Sequence, residues 1–304
     1  MTHLILHAAS VGTHTALSEA VLDGLKDGLW SIPVLFLAYL LMELLERSRR
    51  LNEGILHAYS RKAGPALGGI LGAIPQCGIS GAAATLFATG SISVGTMLAV
   101  FFATSDEMLP IMLSSLGESD ALDLGSIALI VLGKAALGIV LGYLTDALLL
   151  RHLRSGKDIH SFCEREHCSC DEEGNVFLSA LKHTVKIALL LVAVNIVLNL
   201  LFAQIGVERL SGSVLNTPVL GELLLGLFGL IPNCSVSVVL TRSYLSGVIG
   251  LGGLFAGLLS NAGIGLLVLL RTNKNQKENA LIVAVLYGLS VLSGIAINLI
   301  GGIF

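Results

Sequence analysis

Residues 69–80 read GILGAIPQCGIS, and residues 226–237 read GLFGLIPNCSVS. The two stretches align without a gap at an offset of 157, and the match runs on beyond them. Gly90 falls on Gly247, Ile92 on Ile249, Gly95 on Gly252 and Ala99 on Ala256. Thr104-Ser105-Asp106-Glu107 falls on Asn261-Ala262-Gly263-Ile264. Each copy lies in an apolar stretch, 64–89 and 221–246, with an Ile-Pro break in its middle. Proline lacks an amide hydrogen and clashes with the carbonyl one turn back, so a helix stops there. Each stretch is therefore expected to be a pair of half-helices rather than a single rod.

The composition says what solvent surrounds these half-helices. Of 304 residues 54% are apolar, only 13% are charged, and mean hydropathy is +0.85. A soluble domain carries roughly a quarter charged residues, so the chain reads as a polytopic all-α membrane protein. Small residues let helix backbones approach in lipid, which suits a chain with 35 glycines. About 20 mainly apolar residues cross a bilayer as a helix. Spans are expected at 28–46, 92–113, 126–150, 184–206, 249–270 and 280–304.

Basic residues set the orientation, because cytoplasmic loops are enriched in them. Segments 47–62, 151–186 and 271–279 hold 14 of the 18 Lys and Arg. The intervening loops 114–125 and 207–221 carry Glu118, Asp120, Asp123, Glu208 and one base, Arg209. Lys62 is then inside and Leu116 outside. A single crossing at 92–113 makes 64–89 a re-entrant hairpin, and the second copy repeats this from the opposite face with both termini outside. The expected organisation is a lead-in at 1–27, a first repeat at 28–150, a cytoplasmic loop at 151–183 and an inverted second repeat at 184–304. Broken helices at matching places in inverted repeats are the sequence pointer to a transporter site near the midplane.

The paired Ile-Pro-x-Cys hairpins, the Thr-Ser-Asp-Glu segment and the Cys/His-bearing central loop resemble a ten-helix heavy-metal exporter family whose members are labelled arsenic efflux or manganese transporters. More distantly, the chain is similar to permeases that export organoarsenicals. The resemblance covers about 28–304 and implies a bacterial inner-membrane exporter, without fixing its cargo.

Several side chains are candidates for that cargo. Asp106 and Glu107 sit in the second half of an apolar span, where ionisable groups usually face a cavity or a partner. Carboxylates suit hard ions such as manganese, whereas thiolates suit soft ones. Cys77 and Cys234 each follow a break proline and could meet one soft cargo, although a free cysteine also fills cores as a small apolar group. Gln76, Asn233, Ser80, Ser237, Thr104 and Asn261 offer neutral oxygens at equivalent positions in the two copies. Lys134, eight residues into its span, is expected to pair with Asp106 or Glu107 as a coupling or gating group, or else to snorkel outward. Glu43 is a weaker gating candidate. Asn195, Asn199 and Asn298, within spans, belong to a residue type that bridges helices more often than it binds cargo.

In the central loop Cys163, His167, Cys168 and Cys170 supply sulfur and nitrogen ligands for zinc or for the cargo metal, though not at zinc-finger spacing. No nucleotide-binding loop and no His-Glu-x-x-His motif is present, so the expectation is an ion-gradient carrier without a catalytic cofactor, not an enzyme. A divalent metal such as manganese is the leading cargo. Arsenic or another soft metalloid is the alternative, then a small anion or organic solute. The expected partners are the bilayer, the transported solute and a second copy of the chain; nucleic acid is not among them.

Overall fold

The computed structural model describes residues 53–104, 107–115, 123–149, 219–273 and 275–301, with single positions at Phe36, Leu40, Leu181, Thr184, Val185, Leu189 and Ala193. The expected spans 28–46 and 184–206, apart from those positions, and the loop 151–180 lie outside these residues. Every regular element among the described residues is helical. In chain order these are α1 (Glu53–Gly72), α2 (Cys77–Ala88), α3 (Val94–Ala103), α4 (Met108–Ser114) and α5 (Leu124–Leu149). There follow α6 (Leu220–Gly229), α7 (Cys234–Leu245), α8 (Leu251–Ser260), α9 (Ile264–Thr272) and α10 (Gln276–Gly301).

Among the described residues, four stretches are long and apolar enough to cross a membrane: Val94–Ser114, Leu124–Leu148, Leu251–Thr272 and Gln276–Ile300. They match the expected 92–113, 126–150, 249–270 and 280–304, with one difference. The first and third are not continuous rods. Helix α3 stops at Ala103 and α4 begins at Met108, while α8 stops at Ser260 and α9 begins at Ile264.

The two halves repeat local geometry as well as sequence. The Ile74 amide donates to the Leu71 carbonyl and the Gln76 amide to the Ile74 carbonyl, at 3.2 and 2.8 Å. Ile231 donates to Phe228 and Asn233 to Ile231 at the same two distances. Gly90 (φ 81°) and Gly247 (φ 72°) both take the left-handed conformation, which costs a glycine little. Close helix contacts recur too. A Cβ on Gly72 would lie 2.6 Å from the Val100 carbonyl oxygen, and one on Gly229 would strike the Gly257 carbonyl.

Burial sorts the helices by depth. All ten residues of α3 are buried, as are Gly252 to Ser260 of α8. By contrast, Leu129, Leu132, Val140 and Leu148 of α5 and Leu292, Leu299 and Ile300 of α10 are exposed. Apolar side chains facing outward have lipid as their natural surroundings. Helices α3 and α8 thus form the centre, packed against one another and flanked by α1 and α5 on one side and α6 and α10 on the other.

Helix α5 starts on a conventional cap. The Ser126 amide and hydroxyl both donate to Asp123 Oδ1, at 2.9 and 2.6 Å, and these bonds hold the carboxyl below its ordinary value of 3.8. A depressed folded-state pKa contributes stability above the unfolded value and loses it as pH falls through the folded one. The difference in melting temperature between the parent chain and Asp123→Ala should therefore be steady above pH 5 and shrink below about pH 4.

Candidate translocation site

Four helix interruptions gather around the α3–α8 centre, and their polar residues are nearly all buried. The fractional exposure of Ser80, Thr104, Asn233, Ser237 and Asn261 is 5% or less. Breaking a helix inside an apolar layer frees backbone groups that must find partners, and several of these side chains supply them. Asn233 Oδ1 accepts from the Ser235 amide at 2.8 Å. Asn261 Oδ1 accepts from the Gly263 amide at 3.0 Å. Thr104 Oγ1 donates to the Val100 carbonyl, and Ser237 Oγ donates to the Cys234 carbonyl. The two hydroxyl oxygens keep acceptor capacity for a cation after donating. The amide oxygens of Asn233 and Asn261 are already engaged in this conformation.

The interruptions interlock between halves. Helix α2, the second leg of the first Pro-x-Cys break, packs along α9, which follows the gap in the other half. Helix α7, the equivalent second leg, packs on α4, which follows the gap in the first half. At one such contact a Cβ on Gly265 would lie 2.8 Å from Ser80 Cβ and 2.7 Å from the Phe101 ring. Ser80, from the first break, is thus pressed against the start of α9, just beyond the second-half gap.

Lys134 is 1% exposed and its ammonium donates to the Thr104 carbonyl at the end of α3. It does not snorkel. The cation sits at the first-half gap, immediately before the Ser105–Glu107 segment. Glu107 is partly buried and stands before α4 without capping it through its side chain. Cys234 is a buried cysteine at the start of α7. Gln76 precedes α2 without a side-chain cap, where the shorter Asn233 caps α7. Asp106, Glu43, Cys163, His167, Cys168, Cys170 and the side chain of Cys77 lie outside the described residues. Among the described residues, no three His, Cys, Asp or Glu side chains converge as a metal cluster.

Two buried carboxylates were not singled out from the sequence. Asp146 of α5 accepts from Ser93 Oγ and from the Gly95 amide, both at 2.7 Å, and so closes the N-terminus of α3. Glu222 of α6 accepts from Asn298 Nδ2 of α10 at 2.9 Å. The available signal was an acid inside an apolar stretch, which says only that it needs a partner.

A sequence profile described as "Putative, 10TM heavy-metal exporter" matches residues 16–217, about two-thirds of the chain. The match takes in α1 to α5 and stops just before α6, so the second half is tied to the first by the internal repeat. No curated protein and no solved structure matches the chain. Long apolar helices with outward-facing leucines fit a membrane transporter, and the profile match over two-thirds of its length shows that the chain belongs to the ten-transmembrane heavy-metal exporter family.

Proposed function

We propose that the chain is a secondary-active exporter of a divalent metal ion such as manganese, working by alternating access in a bacterial inner membrane. In this reading the halves at 28–150 and 184–304 are inverted repeats, 64–89 and 221–246 are re-entrant hairpins, and both termini face outward. The carrying observation is the reciprocal packing of α2 on α9 and α7 on α4. Such an exchange ties each half's break to the other half's gap, so a rocking motion of one half alters both breaks together.

Asp106 and Glu107 are the proposed hard-ion ligands, with Thr104, Asn261, Ser80, Ser237, Gln76 and Asn233 as neutral oxygens around them. Lys134 supports this reading because its ammonium occupies a carbonyl oxygen next to the acids. It is proposed to hold the site when cargo is absent and to be displaced when cargo binds. Cys163, His167, Cys168 and Cys170 are proposed to collect metal on the cytoplasmic side. The buried thiol of Cys234 favours a second cargo class, arsenic or another thiophilic species held with Cys77.

Manganese uptake into inverted vesicles distinguishes the two cargo classes. Asp106→Asn and Glu107→Gln should each lower flux at least ~10-fold, equivalent to about 1.4 kcal/mol of barrier. Loss only in the Cys77→Ser/Cys234→Ser double variant, with arsenite as the transported species, overturns the hard-ion assignment.

A further inference from the structure

Glu222 differs from Asp146 in one respect that suggests a use. Asp146 has both oxygens engaged, by Ser93 and Gly95. Glu222 is 4% exposed; its Oε1 is held by Asn298, and its Oε2 has no hydrogen-bond partner among the described residues. The two carboxylates occupy related places. Gly95 of α3 meets Gly142 and Asp146 of α5, and Gly252 of α8 meets Gly294 and Asn298 of α10. Asn298 thus stands where Asp146 stands in the other half, and Glu222 supplies the carboxyl that this position lacks.

A buried carboxylate with an unsatisfied oxygen is costly in an apolar layer. Among the described residues, the surroundings offer little to offset the charge. Helix α8 carries no ionisable side chain. On α10, Tyr287 donates to the Leu223 carbonyl, while Lys277 and Glu278 lie about 30 Å along the helix from Asn298. Helix α7 carries the buried Cys234, Tyr244 and Arg242, the last exposed. A metal ion needs several oxygen, nitrogen or sulfur ligands, and no such cluster of acids, thiols or imidazoles forms among the described residues. A proton needs one oxygen.

We infer that Glu222 is a proton-binding site, with Asn298 fixing its Oε1 and Oε2 taking up and releasing the proton. Binding forms one O–H bond and neutralises the carboxylate; release restores it. As the source of driving force this rests on the carrier reading above, whereas proton binding itself does not.

The test is labelling of the full chain in inverted vesicles with N,N′-dicyclohexylcarbodiimide, which adds to protonated carboxyls in apolar surroundings, followed by peptide mass spectrometry. Glu222 should carry the adduct at pH 6, while Asp146 stays unmodified and Glu222→Gln loses the adduct. An unmodified Glu222 at pH 6 in vesicles whose protein remains monodisperse on extraction, or equal labelling of Asp146, overturns the proposal. In the same vesicles, manganese flux driven by a pH gradient should fall at least tenfold in Glu222→Gln; unchanged gradient-driven flux overturns the coupling role. Absence of manganese flux in the parent chain would count against the carrier reading and leave the labelling result intact.

Discussion

Gly229→Leu is expected to abolish the folded protein. A Cβ at this position would strike the Gly257 carbonyl and Ser260 Oγ, and Ser260 Oγ is itself fixed by donating to the Gly226 carbonyl at 2.7 Å. Two helix backbones meet here, so neither side can yield as a flexible side chain would. Overpacking against such a contact costs about 3 kcal/mol or more, a large fraction of a marginal stability. Gly72→Leu should do the same in the first half, because the Val100 carbonyl and Ala103 Cβ lie 2.6 and 2.9 Å from its would-be Cβ. Gly288→Ala is the control. Nothing lies within 4 Å of its would-be Cβ, and the change should stay within about 0.5 kcal/mol. Monodispersity and melting temperature on size-exclusion chromatography of detergent extracts separate the three.

Lys134→Met should leave the protein folded and lower cargo flux about 100-fold, equivalent to roughly 2.7 kcal/mol. Losing the ammonium leaves the Thr104 carbonyl without that donor, at a cost of about 1–3 kcal/mol. A merely structural lysine would therefore lower the melting temperature and leave the flux of the folded protein near that of the parent. An ammonium that holds the Thr104 carbonyl and is exchanged for cargo would leave the fold intact and remove the turnover. Flux within about twofold of the parent would show that the cation is packing, because a gate of this kind supplies more than 1 kcal/mol.

The sequence was most readable where a residue forbids an alternative. Pro75 and Pro232 cannot continue a helix, and α1 and α6 end three residues before them. The gaps at Thr104 and Asn261 were harder, since 92–113 reads as one apolar run with its only proline, Pro110, well past the break. The signal lay in the second copy, where Gly263 adopts φ 53°, a conformation that a continuous helix does not contain. Glu222 and Asp146 were illegible for a different reason. An acid in an apolar span announces only that it needs a partner, and here the partners stand far away in sequence: Ser93 and Gly95 for Asp146, Asn298 for Glu222. Of the neutral candidates, Asn233 was expected beside a break and Asn261 within a continuous span, and the oxygens of both cap amides that the interruptions expose.

The polar residues of both breaks are proposed to border a single pathway. The most direct test of this proposal is accessibility at Ser80 and Ser237, equivalent positions that are both buried here. Each would be changed to cysteine in a chain whose five native cysteines are replaced by serine, and treated in vesicles with a membrane-impermeant thiol reagent from either face. Modification of Ser80→Cys or of Ser237→Cys should block metal flux, and added cargo should slow modification at both sites. Flux that survives full modification of both positions, at rates indifferent to cargo, would contradict it.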